Sequence, residues 1–83
     1  MTETEVKTLK ESIVHLVTAY QGLKAVNLEL MIAAAYPSVP NADISKAISE
    51  LVQVNEIERI EYQVKDNRSM FLSFYLPPGS RLV

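Results

Sequence analysis

The sequence predicts an α+β fold in which three helices precede a two-stranded antiparallel β-hairpin. Apolar residues recur every three or four positions in segments between residues 5 and 54, and they alternate with polar residues between residues 57 and 76. The chain has 83 residues, of which 48% are hydrophobic, and a chain of this size can build one core but not two. We therefore predict a single domain over residues 1–83, with residues 1–4 and 80–83 disordered.

The first helix is predicted between Glu5 and Tyr20. Its apolar side chains fall on one face, at Val6, Leu9, Ile13, Leu16, Val17 and Tyr20. Thr2 or Thr4 can cap its first turn, and Gly22 can end it in the left-handed conformation.

Residues 23–26 are too few for a helix and predict a connector or a minimal strand. A second helix follows, with Asn27 as its N-cap. It must end before Pro37, because the residue that precedes a proline is pushed out of the helical region. Pro37 and Pro40 therefore bracket a turn.

The third helix is predicted to start at Asn41 or Asp43, either of which can cap it. Its apolar stripe has helical spacing without interruption, at Ile44, Ala47, Ile48, Leu51 and Val52. Asn55 tolerates the left-handed conformation and is expected to close the helix.

A hairpin is predicted over residues 57–76, with its turn at residues 66–69. On the first strand the apolar side chains are Ile60, Tyr62 and Val64, which share one face. On the second, alternation is expected to direct Met70, Leu72 and Phe74 toward the core, leaving Phe71 and Tyr75 on the outer face. The prolines at residues 77–78 end the strand.

The composition argues against an enzyme. Without cysteine there can be no disulfide, thiolate metal site or cysteine nucleophile. His15 is the only histidine, and the two glycines cannot form a phosphate-binding loop. We expect no catalytic, metal or cofactor site and no membrane segment or signal peptide, and hence a cytoplasmic protein, or a nuclear one in a eukaryote.

Residues 41–52, followed by residues 55–59, resemble a recognition helix that runs into the first strand of a wing. The order of elements also resembles the winged helix-turn-helix superfamily, in which the third helix enters the major groove and the wing touches the backbone. The resemblance implies a small protein that binds double-stranded DNA, a transcriptional regulator or replication accessory of a prokaryote or virus. It implies a homodimer as well, since one module buries limited surface on DNA. The implied contacts are Ser45, Lys46, Ser49 and Gln53 on the helix and Lys65, Asn67 and Arg68 on the wing.

The charge of the chain favours an alternative. Its net charge is −2, and residues 41–54 hold one lysine, Lys46, against Asp43 and Glu50, whereas phosphate contacts need positive charge. The chain could instead dock a protein through the acidic third helix or the outer face of the hairpin, using Asp43, Glu50, Phe71 and Tyr75. The charges could also form a solvated surface, and the two aromatic rings could pack against the first helix or the C-terminal tail.

Overall fold

The computed structural model describes residues 2–79, apart from the side chains of residues 67–69. The described part has three helices and a three-stranded antiparallel sheet, so the predicted α+β class is confirmed. In chain order the elements are α1 (Glu3–Ala19), β1 (Leu23–Lys24), α2 (Ala25–Ala35), α3 (Asn41–Gln53), β2 (Glu58–Val64) and β3 (Asn67–Leu76). The sheet has the order β1-β3-β2. The predicted hairpin corresponds to β2 and β3, and the sheet has one strand more than the predicted two, the short strand β1. The predicted disorder of Met1 and residues 80–83 lies outside the described residues.

Helix α1 starts with a capping box at Thr2, one of the two predicted caps. The Glu5 amide donates to Thr2 Oγ1 over 3.2 Å, and the Thr2 amide donates to Glu5 Oε1 over 3.4 Å. Residues 3 and 4, expected to be disordered, are therefore helical. After the helix, Gly22 has a φ of 81°, the left-handed conformation predicted for it.

Helix α2 starts at Ala25, and Asn27 lies in its first turn, so the prediction that Asn27 caps this helix is wrong. The cap position is Lys24, whose side chain makes no capping hydrogen bond. Lys24 also ends β1, so the structure has the minimal strand that was one of the two alternatives predicted for residues 23–26. Because β1 pairs with β3 up to Lys24, the helix cannot begin before Ala25.

Helix α3 begins after Pro40, which holds the cap position in place of the predicted Asn41 or Asp43. The Pro40 carbonyl accepts from the amides of Asp43 and Ile44, so the extended backbone of a proline starts the helix without a capping side chain. At the other end, Asn55 has a φ of 61°. The Glu56 amide donates to the Leu51 carbonyl over 3.0 Å, and the Asn55 amide to the Val52 carbonyl over 3.1 Å. These two bonds form a Schellman motif, which confirms the predicted closure at Asn55.

The hairpin presents the opposite face to the core from the one predicted. Tyr75, expected on the outer face, is buried with 3% of its surface exposed, and Ile57 is 1% exposed. Leu23 lies opposite Tyr75 in the sheet and packs against the same core. By alternation, Leu72 and Phe74 therefore point away from the helices.

The Schellman turn explains this reversal. It places Ile57 in the core directly after α3, and every second residue of β2 then shares the side of the sheet on which Ile57 lies. Leu23 imposes the same choice on β3 through its pairing with Tyr75. The prediction took the more apolar face of the hairpin as the buried one. Ile57 and Leu23 instead direct the other face toward the core.

The turn of the hairpin is also shorter than predicted, since only Lys65 and Asp66 separate the two strands. β3 begins at Asn67, and a register shift follows Gln63 on the paired strand. Met70, predicted to be in the core, is 49% exposed near this end of the hairpin.

The core joins all three helices to the base of the sheet. Its buried side chains are Leu9, Ile13, Val17, Leu28, Ile32, Ile44, Ala47, Ile48, Leu51, Ile57 and Tyr75. The predicted stripes of α1 and α3 supply most of them. The helices thus form one layer, which covers a single face of the sheet.

Substitution of Tyr75 and of Phe71 by alanine tests whether Tyr75 is the core residue of its face of β3. Tyr75→Ala should lower the free energy of unfolding by about 3 kcal/mol, because it empties a core position. Phe71→Ala is the matched control, since its ring is 60% exposed on the same face beyond the helices, and it should change stability by no more than about 0.5 kcal/mol. Urea unfolding followed by circular dichroism measures both. Equal losses, or a larger loss for Phe71→Ala, would contradict the assignment.

Candidate nucleic-acid interface

The outward side of α3 carries a row of uncharged polar side chains. Ser45, Ser49 and Gln53 are spaced four residues apart and therefore lie one above another on the helix. All three are exposed, as is Lys46 beside them. Burial of the opposite stripe fixes this orientation. The structure thus brings together the four helix residues predicted to contact DNA, and we call them the α3 strip.

The two acidic residues of α3 lie on its flank toward α1. Glu50 Oε2 is 3.5 Å from Lys10 Nζ on α1, and both Glu50 and Asp43 are partly buried. Asp43, Lys46 and Glu50 line one side of a surface groove of about 360 Å³ that reaches Val6 on α1. The carboxylates therefore flank the α3 strip and do not interrupt its row of polar side chains. Lys46 is the one charged member of the strip.

Of the three hairpin residues predicted to contact DNA, the side chain of Lys65 is described. Lys65 is exposed in the turn between β2 and β3, next to Asp66. Asn67 and Arg68 were also predicted to contact DNA, and their side chains lie outside the described part of the structure.

The four residues predicted to dock a protein do not form one surface. Tyr75 is in the core and Phe71 is exposed near the end of the hairpin, while Asp43 and Glu50 lie at the groove against α1. The prediction that Tyr75 lies on the outer face is wrong for the reason given above, since Ile57 and Leu23 fix the direction of alternation.

Arg59 organises the polar part of the inner sheet face around Tyr75. Its guanidinium carbon lies 5.9 Å from the centre of the Tyr75 ring. Its Nε is 3.1 Å from Glu61 Oε1, and its Nη2 donates to Ser73 Oγ over 3.2 Å. Burial raises the pKa of the Tyr75 phenol above its ordinary value, and the Arg59 charge opposes that rise. The polar groups of this cluster therefore bond to one another within the sheet, at the edge of the core.

Sequence reasoning missed an apolar surface on α2. Val26 and Leu30 are 66% and 64% exposed, and they line a groove of about 210 Å³ between α2 and α3, together with Glu29, Ala33, Asn41, Ile44 and Ser45. The amino-acid composition of α2 is the signal that could have revealed this surface. Glu29 is the only charged residue of α2, and a helix that is apolar on every side cannot bury all of its surface against one neighbour.

The described residues contain no cluster of three or more histidine, cysteine, aspartate or glutamate side chains that could hold a metal ion. His15 is exposed on α1. Over residues 2–79, no helix combines the length and the hydropathy needed to cross a membrane.

Comparison of the sequence with protein-family models and with curated proteins finds no match, and comparison with solved structures finds none.

Proposed function

We propose that this chain is a small winged-helix protein that binds double-stranded DNA through the α3 strip. The observation that carries the proposal is the exposed row of Ser45, Ser49 and Gln53 with Lys46 beside it. Hydroxyl and amide groups of this kind donate to and accept from base edges, and lysine binds phosphate. The order of helices and strands supports the winged-helix assignment, with β2 and β3 as the wing.

The position of the acidic groups supports the proposal further. A row of carboxylates facing the phosphates would oppose binding. Glu50 is instead paired with Lys10, and Asp43 is partly buried on the same flank. The wing would meet the backbone at Lys65 and Arg68, so that Lys46 and the wing together supply about three phosphate contacts. Such a footprint is small, and the affinity should be modest and highest at low salt.

Neutralisation of the two wing cations tests the proposed DNA contact. We expect Lys65→Gln combined with Arg68→Gln to reduce the slope of log K against log salt by roughly two, because each phosphate contact contributes about 0.9. Fluorescence anisotropy with a mixed-sequence duplex at several salt concentrations gives this slope. Lys7→Gln on the exposed side of α1 is the matched control and should leave it unchanged. The proposal fails if the duplex does not bind at low salt, or if the control lowers the slope as much as the wing variant does.

A second candidate function is docking of an amphipathic helix from a partner protein in the groove between α2 and α3. The exposure of Val26 and Leu30 beside Ile44 and Ala33 favours it, since helix-binding grooves take apolar side chains at spacings of three and four. Glu29 at the same groove would attract a basic residue of that partner helix.

One substitution separates the two functions, because it adds positive charge where an apolar contact would be lost. Leu30→Lys should abolish binding of a model amphipathic peptide with leucines four residues apart and flanking lysines. The same change should leave duplex affinity unchanged or raise it, since it adds a cation near the α3 strip. Amide chemical shifts of labelled protein report both titrations. If the peptide still binds to Leu30→Lys, this groove is not its binding site. A roughly tenfold loss of duplex affinity, equivalent to ~1.4 kcal/mol, would argue against the α3 strip as the DNA-binding surface.

A further inference from the structure

Helix α1 carries an exposed row of ionisable side chains. Glu3, Lys7, Glu11 and His15 are spaced four residues apart, so they lie one above another along the helix. All four are exposed. Within the described residues, none of the four forms an ion pair or a side-chain hydrogen bond. We call these four residues the α1 row.

A surface groove of about 860 Å³ runs beside the α1 row. Its other wall is a second row on the same helix, formed by Val6, Lys10, Val14 and Thr18, and Glu56 completes the lining. Val6 and Val14 give the groove apolar surface, and both are partly buried. The groove is therefore the channel between two rows of one helix. When two helices pack, a row of one helix fits into such a channel of the other.

The order of charges on the α1 row fits a second copy of the same row running in the opposite direction. A two-fold axis perpendicular to the helices, midway between Lys7 and Glu11, places Lys7 of one copy beside Glu11 of the other, twice. The same axis places Glu3 beside His15, whose ring N–H can donate to a carboxylate. A two-fold axis parallel to the helices would instead bring Lys7 to Lys7 and Glu11 to Glu11, which is repulsive.

We propose that α1 is the contact surface of a homodimer, in which the α1 row of each copy lies in the groove of the other and the two helices are antiparallel. Helices that pack along rows of this spacing cross at about 50°, the commonest class of helix contact. The methylene groups of Lys7 would then lie against the apolar lining that Val6 and Val14 supply. The groups that form the ion pairs are available, because Lys7 and Glu11 have no partner among the described residues.

The size of the contact sets its strength. Helix α1 has 17 residues and is about 25 Å long and 10 Å wide. One face of it is therefore smaller than the roughly 800 Å² that each partner buries in a stable complex. The dimer is weak, with a dissociation constant in the micromolar range or above, so Lys7 is free of this contact in dilute protein. The inference does not depend on what the α3 strip binds.

Sedimentation equilibrium over a range of protein concentrations tests the proposal. The average mass of the wild-type chain should rise from monomer toward dimer with concentration. Lys7→Glu should raise the dissociation constant by roughly tenfold or more, because two ion pairs become two pairs of like charges. Glu11→Lys should have the same effect. Lys7→Glu combined with Glu11→Lys restores both ion pairs in exchanged order and should return the dissociation constant close to that of the wild type.

Asp66→Lys in the hairpin turn is the matched control. Asp66 is exposed, and its substitution changes the net charge of the chain by the same amount as Glu11→Lys does. It should leave the dissociation constant unchanged. A wild-type chain that stays monomeric at every concentration would overturn the proposal. A double variant that associates no better than the single variants, or a control that weakens association as much as Glu11→Lys, would overturn it too.

Carbodiimide crosslinking tests the antiparallel arrangement in the unmodified protein. The reagent joins an amine to a carboxylate that contacts it. In an equal mixture of unlabelled and isotope-labelled chains, a crosslinked pair of peptides with one light and one heavy member comes from two copies. Mass spectrometry should find Lys7 joined to Glu11 in such mixed pairs. Mixed pairs that do not include this link would overturn the arrangement.

Discussion

The structure depends on the placement of Ile57 directly after α3. The Schellman motif at Asn55 and Glu56 turns the chain within two residues, and Ile57 enters the core at 1% exposure. From that point alternation determines the side of the sheet on which the side chains of β2 lie up to Gln63, and cross-strand pairing does the same for residues 71–76 of β3. Leu23 fixes the same direction from the other edge through its pairing with Tyr75. The helices therefore pack on Tyr75 and leave the more apolar face of the hairpin uncovered.

Helix periodicity was the part of the sequence that predicted structure well. The stripe of α3 was correct, and that of α1 was correct except at Tyr20, which follows the helix and is 55% exposed. Each helix has one apolar side, so spacing alone identifies the buried face. The end of α3 at Asn55 was predictable because asparagine readily adopts the left-handed conformation that ends helices. The predicted caps of α2 and α3 were wrong, since a strand residue and a proline occupy those positions.

The hairpin shows why alternation alone could not determine the orientation of the sheet. Period-two alternation separates two sets of side chains but does not say which set faces the helices. Taking the more apolar set as buried is the natural choice, and here it fails because the anchors Leu23, Ile57 and Tyr75 belong to the other set. The α3 strip was predictable since helical geometry determines it, whereas the pairing of Glu50 with Lys10 joins two helices and had no local signal.

Packing of the core determines which surfaces of α3 and of the hairpin face solvent. Packing of α3 by its apolar stripe turns Ser45, Ser49 and Gln53 to solvent, and the anchored sheet turns Tyr62 and Leu72 to the opposite side from the helices. The surface of α3 is polar and suited to hydrogen bonding, and the face of the hairpin that carries Tyr62 and Leu72 is apolar.

The direction of the sheet is the central claim, and nuclear Overhauser contacts of the aromatic rings test it most directly. In dilute protein, the Tyr75 ring should show contacts with methyl groups of the helical core, to which Leu28 and Ile32 belong, and the Phe74 ring should not. Contacts from Phe74 and Leu72 to those methyl groups, with none from Tyr75, would contradict this direction of the sheet.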